Sequence, residues 1–397
     1  MQQAEATCHL PGVAGVLILA APGHTGSAWN RRGPMTTFKI AVFDGDGIGP
    51  EIMQPTVDLL KRATANQTEF DLSFLSLPAG AGHYEQSGES LPAESVRAAR
   101  QCDAILLSAM GLPHIRKPDG TEMVPQIDLR LELGLFAGVR PVFTFPQGPR
   151  VLTDERAANL DFVLVRESIE GLFAHRDEGV VVDDEYATET LRITREVSKK
   201  LFDFSFRLAQ QRASRLNRPG KLMCIDKANV FRSFWFFREI FYECASDYPD
   251  IEPSAMYVDA AAMKMVQSPW DFDVMVTENM FGDILSDLGA GLMGSLGLAP
   301  SADIGLDHAV FQPCHGSAPD IAGKGLANPS AMVLSAAMML EYLGDNKQCE
   351  AAASCGGRLR NAVMQATGKE KGRGRDIGGN ASTDDIASTI QDCLATS

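Results

Sequence analysis

Short apolar runs at residues 40–43, 104–108, 162–165, 222–225 and 274–276, rich in β-branched residues, alternate with longer stretches of helical period. Runs of that length match strands, and apolar residues three and four apart match helices. The alternation reads as an α/β fold. The clearest helices are expected over residues 187–212 and over 328–343, where Pro329 suits a first helical turn. Residues 356–379, rich in glycine and charge, are expected to form a surface loop. No repeat and no long linker interrupts the pattern.

The 397 residues allow two lobes with sizeable cores, and 45% apolar with 22% charged residues is an ordinary globular composition. A formal charge of −15 argues against nonspecific binding of nucleic acid or anionic membrane. An anionic ligand would need a local cationic pocket to overcome that field. Eight cysteines without CxxC or CxxH spacing indicate neither a zinc cage nor a disulfide framework, so reduced thiols in a cytoplasmic protein are expected. The apolar run at residues 13–21 lacks a cationic segment before it and is too short to span a bilayer. From Met35 the stretch MTTFKIAVF enters the first strand, and residues 1–35 are set aside as an N-terminal extension, disordered or untranslated.

Two glycine-rich stretches invite familiar readings and fail them. GDGIGPE at 45–51 follows a strand, but a dinucleotide fingerprint starting at Gly45 would need Gly or Ala where Pro50 stands. An EF-hand loop starting at Asp44 meets Ile48 and Pro55 at ligand positions. HGSAPDIAGKG at 315–325 is no P-loop, because Ala318 replaces the first glycine and Gly325 the hydroxyl residue. A nucleotide, if bound, is bound without either common motif.

The residues that carry chemistry lie elsewhere. Asp283 and Asp287, four apart in NMFGDILSD, share one helix face and repel unless a cation sits between them. Each alone is equally a cap or a solvated charge. Asp259 adds a third carboxylate from a stretch poor in polar groups, and such oxygen ligands suit Mg²⁺ or Mn²⁺ better than zinc. Arg130, Arg140 and Arg166 stand in apolar surroundings, where guanidinium forks recognise carboxylates or pair internally, for instance with Glu132 or Glu167. Lys227 follows an apolar strand, where desolvation would lower its pKa toward that of a general base; a surface lysine is the plain alternative. Together these groups fit one reaction. Arginines hold a small polycarboxylate, a metal chelates its 2-hydroxyl and a carboxylate, and a base takes the hydroxyl proton as hydride leaves carbon 2. The resulting 3-oxo acid loses carbon dioxide readily.

With those residues in hand, the chain resembles the β-decarboxylating dehydrogenases of the isocitrate/isopropylmalate dehydrogenase family. The motifs occur in family order: GDGIGPE, the Arg130 and Arg140 segment, RESIEG at 166, DKANV at 226, NMFGDILSD at 279, GSLGLAPSA at 294 and HGSAPDIAGKGLANP at 315. The resemblance implies two α/β lobes on a central mixed sheet with the active site in the cleft between them. Residues 36–135 and 294–397 would form the nucleotide-binding lobe, and 136–293 the substrate and dimerisation lobe. It assigns Arg130, Arg140 and Arg166 to substrate carboxylates, Lys227 and Asp259 to catalysis, and Asp259, Asp283 and Asp287 to the metal. Lys227 and Asp259 would enter the site of a partner subunit in a homodimer. His315, Gly316, Ser317, Ala318, Asp320 and Asn328 would bind the cofactor. Asp320 would accept the ribose 2′-hydroxyl, favouring NAD over NADP.

Three departures bear on the reaction. Phe173 stands where the family places a tyrosine credited with protonating carbon 3, leaving that role to water, His175, Tyr186 or another group. Gln312 replaces a glutamate before the Pro-x-His-Gly sequence. One turn ahead of Arg130, Met123, Gln126 and Ile127 are expected to meet the substrate's variable group, favouring an apolar or small substituent. A 3-substituted malate is therefore expected, 3-isopropylmalate first, malate or tartrate next, then homoisocitrate or isocitrate. The competing class is a noncatalytic regulatory subunit, against which the retained lysine, aspartates and arginines argue.

Overall fold

The computed structural model describes residues 35–396, so the expected N-terminal extension lies, apart from Met35, outside the described residues. Twelve strands are described: β1 Thr36–Phe43, β2 Phe70–Ser76, β3 Ala104–Leu107, β4 Ala137–Phe143, β5 Asp161–Glu167, β6 Val180–Val182, β7 Tyr186–Thr188, β8 Gly220–Asp226, β9 Ile251–Tyr257, β10 Val274–Thr277, β11 Pro300–Ile304 and β12 Ala309–Pro313. The helices are α1 Gly49–Thr64, α2 Ala81–Ser87, α3 Ala93–Ala99, α4 Pro125–Leu133, α5 Gly171–Ala174 and α6 Arg195–Leu216, followed by α7 Arg232–Ala245, α8 Val258–Gln267, α9 Asn279–Met293, α10 Ser330–Lys347, α11 Glu350–Ala366 and α12 Thr383–Ala395. Among the described residues no helix is long and apolar enough to cross a membrane.

Ten strands form one mixed sheet in the order β2-β1-β3-β12-β11-β4-β5-β10-β8-β9, and β6 pairs with β7 as a separate ribbon. Two parallel blocks, β2-β1-β3-β12 and β5-β10-β8-β9, flank the antiparallel strands β11 and β4. The five apolar runs became β1, β3, β5, β8 and β10. All lie in the parallel blocks, where helices cover both faces and a strand must be apolar throughout. The strands without such a run are polar for reasons of position. β4 carries Arg140, while β11 and β12 carry Asp303 and Gln312, all three buried. The strands β2 and β9 lie at the sheet's edges, where pairing is one-sided and Pro253 is tolerated.

Three expectations about elements need correction. The helix expected from residue 187 starts at Arg195, because Thr194 caps it by accepting the Val197 N–H at 3.3 Å, and residues 186–188 pair in β7 instead. α10 begins at Ser330 and runs on to Lys347; Pro329 is its cap residue, and Asn328 Oδ1 accepts the Ser330 N–H. Much of the expected loop at 356–379 is the second half of α11, packed against α10, with Gly356 and Gly372 buried.

GDGIGPE turns out to be a knot that ties three loops together. The Asp46 carboxylate accepts the N–H groups of Ala81, Gly82 and Gly111 at 2.7, 2.9 and 2.8 Å. Its backbone N–H bonds Ala109 O, and that of Ile48 bonds Ser317 O, both at 2.8 Å. Glu51 accepts from the N–H of Gly323 and Ala327 and from the Thr383 hydroxyl, at 3.0, 2.9 and 2.7 Å. Burial works to raise the Glu51 pKa, but these hydrogen bonds outweigh it and hold the carboxyl below its ordinary value. Gly47 must be glycine: its φ is +61°, and a Cβ would lie 2.0 Å from Ser317 O. Gly47→Ala is expected to cost about 2 kcal/mol or more, read as a lower urea midpoint with an unchanged slope. A midpoint equal to that of the parent would contradict the close approach.

Candidate active site

Arg130 on α4 and Arg140 on β4 meet over Asp303 of β11, a carboxylate that is 0% exposed. Arg130 Nε donates to Asp303 Oδ2 and Arg140 Nη2 to Oδ1, each at 3.1 Å. Gln312 Nε2 also donates to Oδ2, and the Ser168 hydroxyl reaches Oδ1 at 3.4 Å. Burial works to raise the Asp303 pKa, but Arg130, Arg140 and Arg166 overcome it and hold the carboxyl at about 2. The charge missing at Gln312 is thus supplied next to it by Asp303. Neither of the expected internal partners is used: Glu132 pairs with Arg100, and Glu167 accepts the N–H groups of Ile169 and Glu170.

Arg166, near the end of β5, is buried between α9 and Phe173. Its Nε and Nη2 donate to Asn279 Oδ1 at 2.9 and 2.7 Å, its Nη1 pairs with Asp283, and its guanidinium lies 5.0 Å from the Phe173 ring centre. Gly282 makes the approach possible, since a Cβ there would stand 2.6 Å from Arg166 Cγ. Burial, with Arg130 nearby, lowers the Arg166 pKa to about 10, so it keeps its charge at neutral pH. Arg130, Arg140 and Arg166 line a cavity of about 290 Å³ together with Asp283 and Asp287. Val124, Ile127, Met110 and Phe173 supply apolar wall, and Gln126, Ser286 and Ser301 polar wall.

Of the three carboxylates expected at a metal, this chain brings Asp283 and Asp287 to the cavity. Burial, and then the neighbouring Asp283, raise the Asp287 pKa, a cost that a divalent cation between the two carboxylates would relieve. No cluster of three His, Cys, Asp or Glu residues able to hold a metal occurs among the described residues. Asp259 lies on α8, where Lys227 Nζ reaches its Oδ1 at 2.5 Å. Neither residue of this pair lines the cavity; Lys227 is 25% and Asp259 68% exposed at the side chain. Asp226, just before Lys227, is fixed by Arg238 through two bonds of 2.7 Å, which anchors the lysine's backbone.

A second cavity, of about 510 Å³, opens beside the first, and His315 and Gly316 line both. Ala318, Asn328, Ile48, Leu296, Arg375 and Asp376 are among its other walls. Burial lowers the His315 pKa and keeps the ring neutral. Two expected cofactor residues do not line this cavity. The buried Ser317 hydroxyl donates to Gly111 O, and Asp320 is exposed, its carbonyl accepting from Lys324. Met123 likewise needs correction: it packs with Ala81 and Ile115 in a small core cluster, while Val124, Gln126 and Ile127 face the cavity. The period of a helix could not reveal this, because α4 begins only at Pro125 and Met123 precedes it. Asp303 was missed because one acidic residue in an apolar strand carries no spacing signal.

The class is an α/β protein on one mixed sheet, with three buried arginines and a pair of carboxylates around one cavity and a second cavity beside it. Residues 39–390 match the isocitrate/isopropylmalate dehydrogenase family, and the chain belongs to it. It is an oxidoreductase of the decarboxylating dehydrogenase type. Similar proteins include a 3-isopropylmalate/3-methylmalate dehydrogenase of Methanocaldococcus jannaschii, 39% identical over 359 residues, covering 89% of this chain and 97% of that relative. Isocitrate dehydrogenase from Methylococcus capsulatus superposes with a TM-score of 0.76 at 35% identity, covering 90% of this chain and 99% of the other. A β-decarboxylating dehydrogenase of Thermococcus kodakarensis in apo form gives 0.72 at 33%, covering 90% and 96%.

Asp303→Asn should strand two buried guanidiniums and destabilise the protein by about 3 to 5 kcal/mol. Because the Asp303 carboxyl is held at about 2, below its ordinary 3.8, its contribution is present above that ordinary value and lost as pH falls through 2. Urea unfolding at neutral and acid pH should show the variant's deficit shrinking over that acid range. An equal deficit at all pH values would contradict the ion-pair account.

Proposed function

We propose that the protein catalyses the NAD-linked, divalent-metal-dependent oxidative decarboxylation of a 3-substituted malate, with 3-isopropylmalate the leading candidate and malate or tartrate next. The observation that carries this reading is one cavity in which three buried arginines face Asp283 and Asp287 beside an apolar wall, joined at His315 to a second cavity. Two carboxylates suit the arginines; Val124, Ile127 and Phe173 suit an alkyl group better than a third carboxylate. The relative named for 3-isopropylmalate and 3-methylmalate supports the same substituent class.

In this reading Arg130, Arg140 and Arg166 orient the substrate, and Lys227 takes the proton of the 2-hydroxyl as hydride leaves carbon 2. The bond from carbon 3 to its carboxylate then breaks, carbon dioxide departs, and carbon 3 takes a proton. Asp283 and Asp287, with an Asp259, would hold the metal. When bound, the metal supplies positive charge to the oxygen at carbon 2, and NAD accepts the hydride. His175 and Tyr186 do not line the cavity of this chain, so in this reading the donor to carbon 3 is water or another group that enters the site.

The helix α8 that carries Asp259 also exposes Met263 and Val266, and Val230, Phe231 and Trp235, shortly after Lys227 in the chain, are exposed as well. An apolar face of this kind supports a homodimer in which the two residues complete the partner's cavity. The two lobes would be 36–135 with 294–397, and 136–293, in a cytoplasmic enzyme. One observation favours NADP instead of NAD: Arg375 lines the nucleotide cavity and Asp320 does not.

A panel of 2-hydroxy acids with NAD or NADP and Mn²⁺, followed for reduced cofactor and carbon dioxide, tests the proposal. Turnover of 3-alkylmalates that a chelator abolishes is expected; inactivity on every acid would refute it. Lys227→Ala should lower kcat by about a hundredfold or more by removing the base, and retained activity would reassign that role. Phe173→Tyr places a donor in the cavity and should raise the ratio of carbon dioxide to reduced cofactor if protonation limits decarboxylation. An unchanged ratio together with a fall in kcat would instead give the Phe173 ring a packing role under Arg166.

A further inference from the structure

The turn that carries Phe173 is tied to α4 by one ion pair and to the hairpin that precedes α4 by a second of opposite order. Arg176 Nη1 donates to the carbonyl of Phe173 at 2.9 Å, and its Nη2 pairs with Asp128 of α4. The next residue, Asp177, faces Lys117 with 3.6 Å between Oδ1 and Nζ. Lys117 belongs to a tight hairpin in which its N–H bonds Thr121 O at 2.8 Å and Arg116 bridges Glu122. One strip thus reads positive then negative, and the surface facing it negative and positive. The two strips come from different parts of the sheet, one from between β3 and β4 and the other from after β5. Asp128 follows Ile127, and Arg130 lies two residues on; Ile127, Arg130 and Phe173 all line the substrate cavity.

We propose that Arg176 is a positioning residue and that the Arg176–Asp128 and Lys117–Asp177 pairs form a latch joining the α4 wall of the cavity to its Phe173 wall. The inference rests on reading that cavity as the substrate site. A single exposed ion pair contributes little, because water and salt compete for both charges. Here the Arg176 side chain is only 21% exposed and its guanidinium is already aligned by the Phe173 carbonyl, so its planar fork loses little freedom on meeting Asp128. With the latch closed, the wall around the substrate's carbon 3 is complete. With it open, Phe173 and Ile127 separate, and the substrate loses binding contacts that it makes equally in the ground and transition states. Such a loss appears in KM and spares kcat.

The test compares Arg176→Met, Asp128→Asn and the reversed pair Arg176→Asp with Asp128→Arg, using whichever hydroxy acid the parent turns over. Both single variants should raise KM about fivefold or more with kcat within about twofold, and the reversed pair should recover most of the loss. High salt weakens substrate binding by the cavity's arginines in both proteins, and should raise KM by a larger factor in the parent than in Arg176→Met. Amide hydrogen exchange provides a second readout that needs no activity: residues 112–128 and 171–178 should both exchange about tenfold faster in Arg176→Met. Unchanged KM and exchange overturn the latch, as does faster exchange in the Phe173 turn alone. A parent that oxidises no 2-hydroxy acid overturns the proposed function instead, and the exchange comparison then decides the latch by itself.

Discussion

The Asp303 carboxylate, sealed between Arg130, Arg140 and Gln312, is the interaction on which the arginine-lined cavity depends. Two guanidinium groups buried side by side would repel and would each carry a large desolvation cost. A carboxylate between them offsets both, and it fixes the planes of the two forks. Arg140 also donates to the carbonyls of Val139 and Ala302, so it is held on the sheet by the backbone on which it stands. The antiparallel strands β4 and β11 meet here, between the two parallel blocks, and the pair locks them where the cavity lies. Arg166 is held differently, by Asn279 and Asp283 of α9, so the cavity's three cations rest on two separate supports.

The second organising device is made of backbone hydrogen bonds. Asp46 and Glu51, five residues apart, gather N–H groups from the loops after β2, after β3 and after β12. His315 and Gly316, shared by the two cavities, sit on the same knot through the Ile48 to Ser317 bond. The second cavity is therefore built without a dinucleotide fingerprint. Glycines in the turn let one loop touch another, where in the better-known motif they let backbone approach phosphate.

The strands of the parallel blocks were legible because burial on both faces writes a continuous apolar run, and the motif residues were legible because they recur in the order of a known family. The strands β4, β11 and β12 were not, because they are the ones that carry the cavity's polar groups. Asp303 had no signal at all: its meaning arises from two arginines that lie 173 and 163 residues away in the chain. Met123 and Ser317 would be ligand contacts by their place in the family's motifs, yet Met123 packs in a small core cluster and the Ser317 hydroxyl donates to a loop carbonyl.

By itself the sequence determined the α/β class, the family, and the presence of three arginines, three aspartates and a lysine suited to one reaction. Only the tertiary structure decided which of them share a cavity. Arg130, Arg140, Arg166, Asp283 and Asp287 come together, while Lys227 and Asp259 pair on another face. The physical reason is range. Helical and strand periods report burial over a few residues, whereas charge neutralisation in a dry interior is satisfied by whichever group the folded chain brings near.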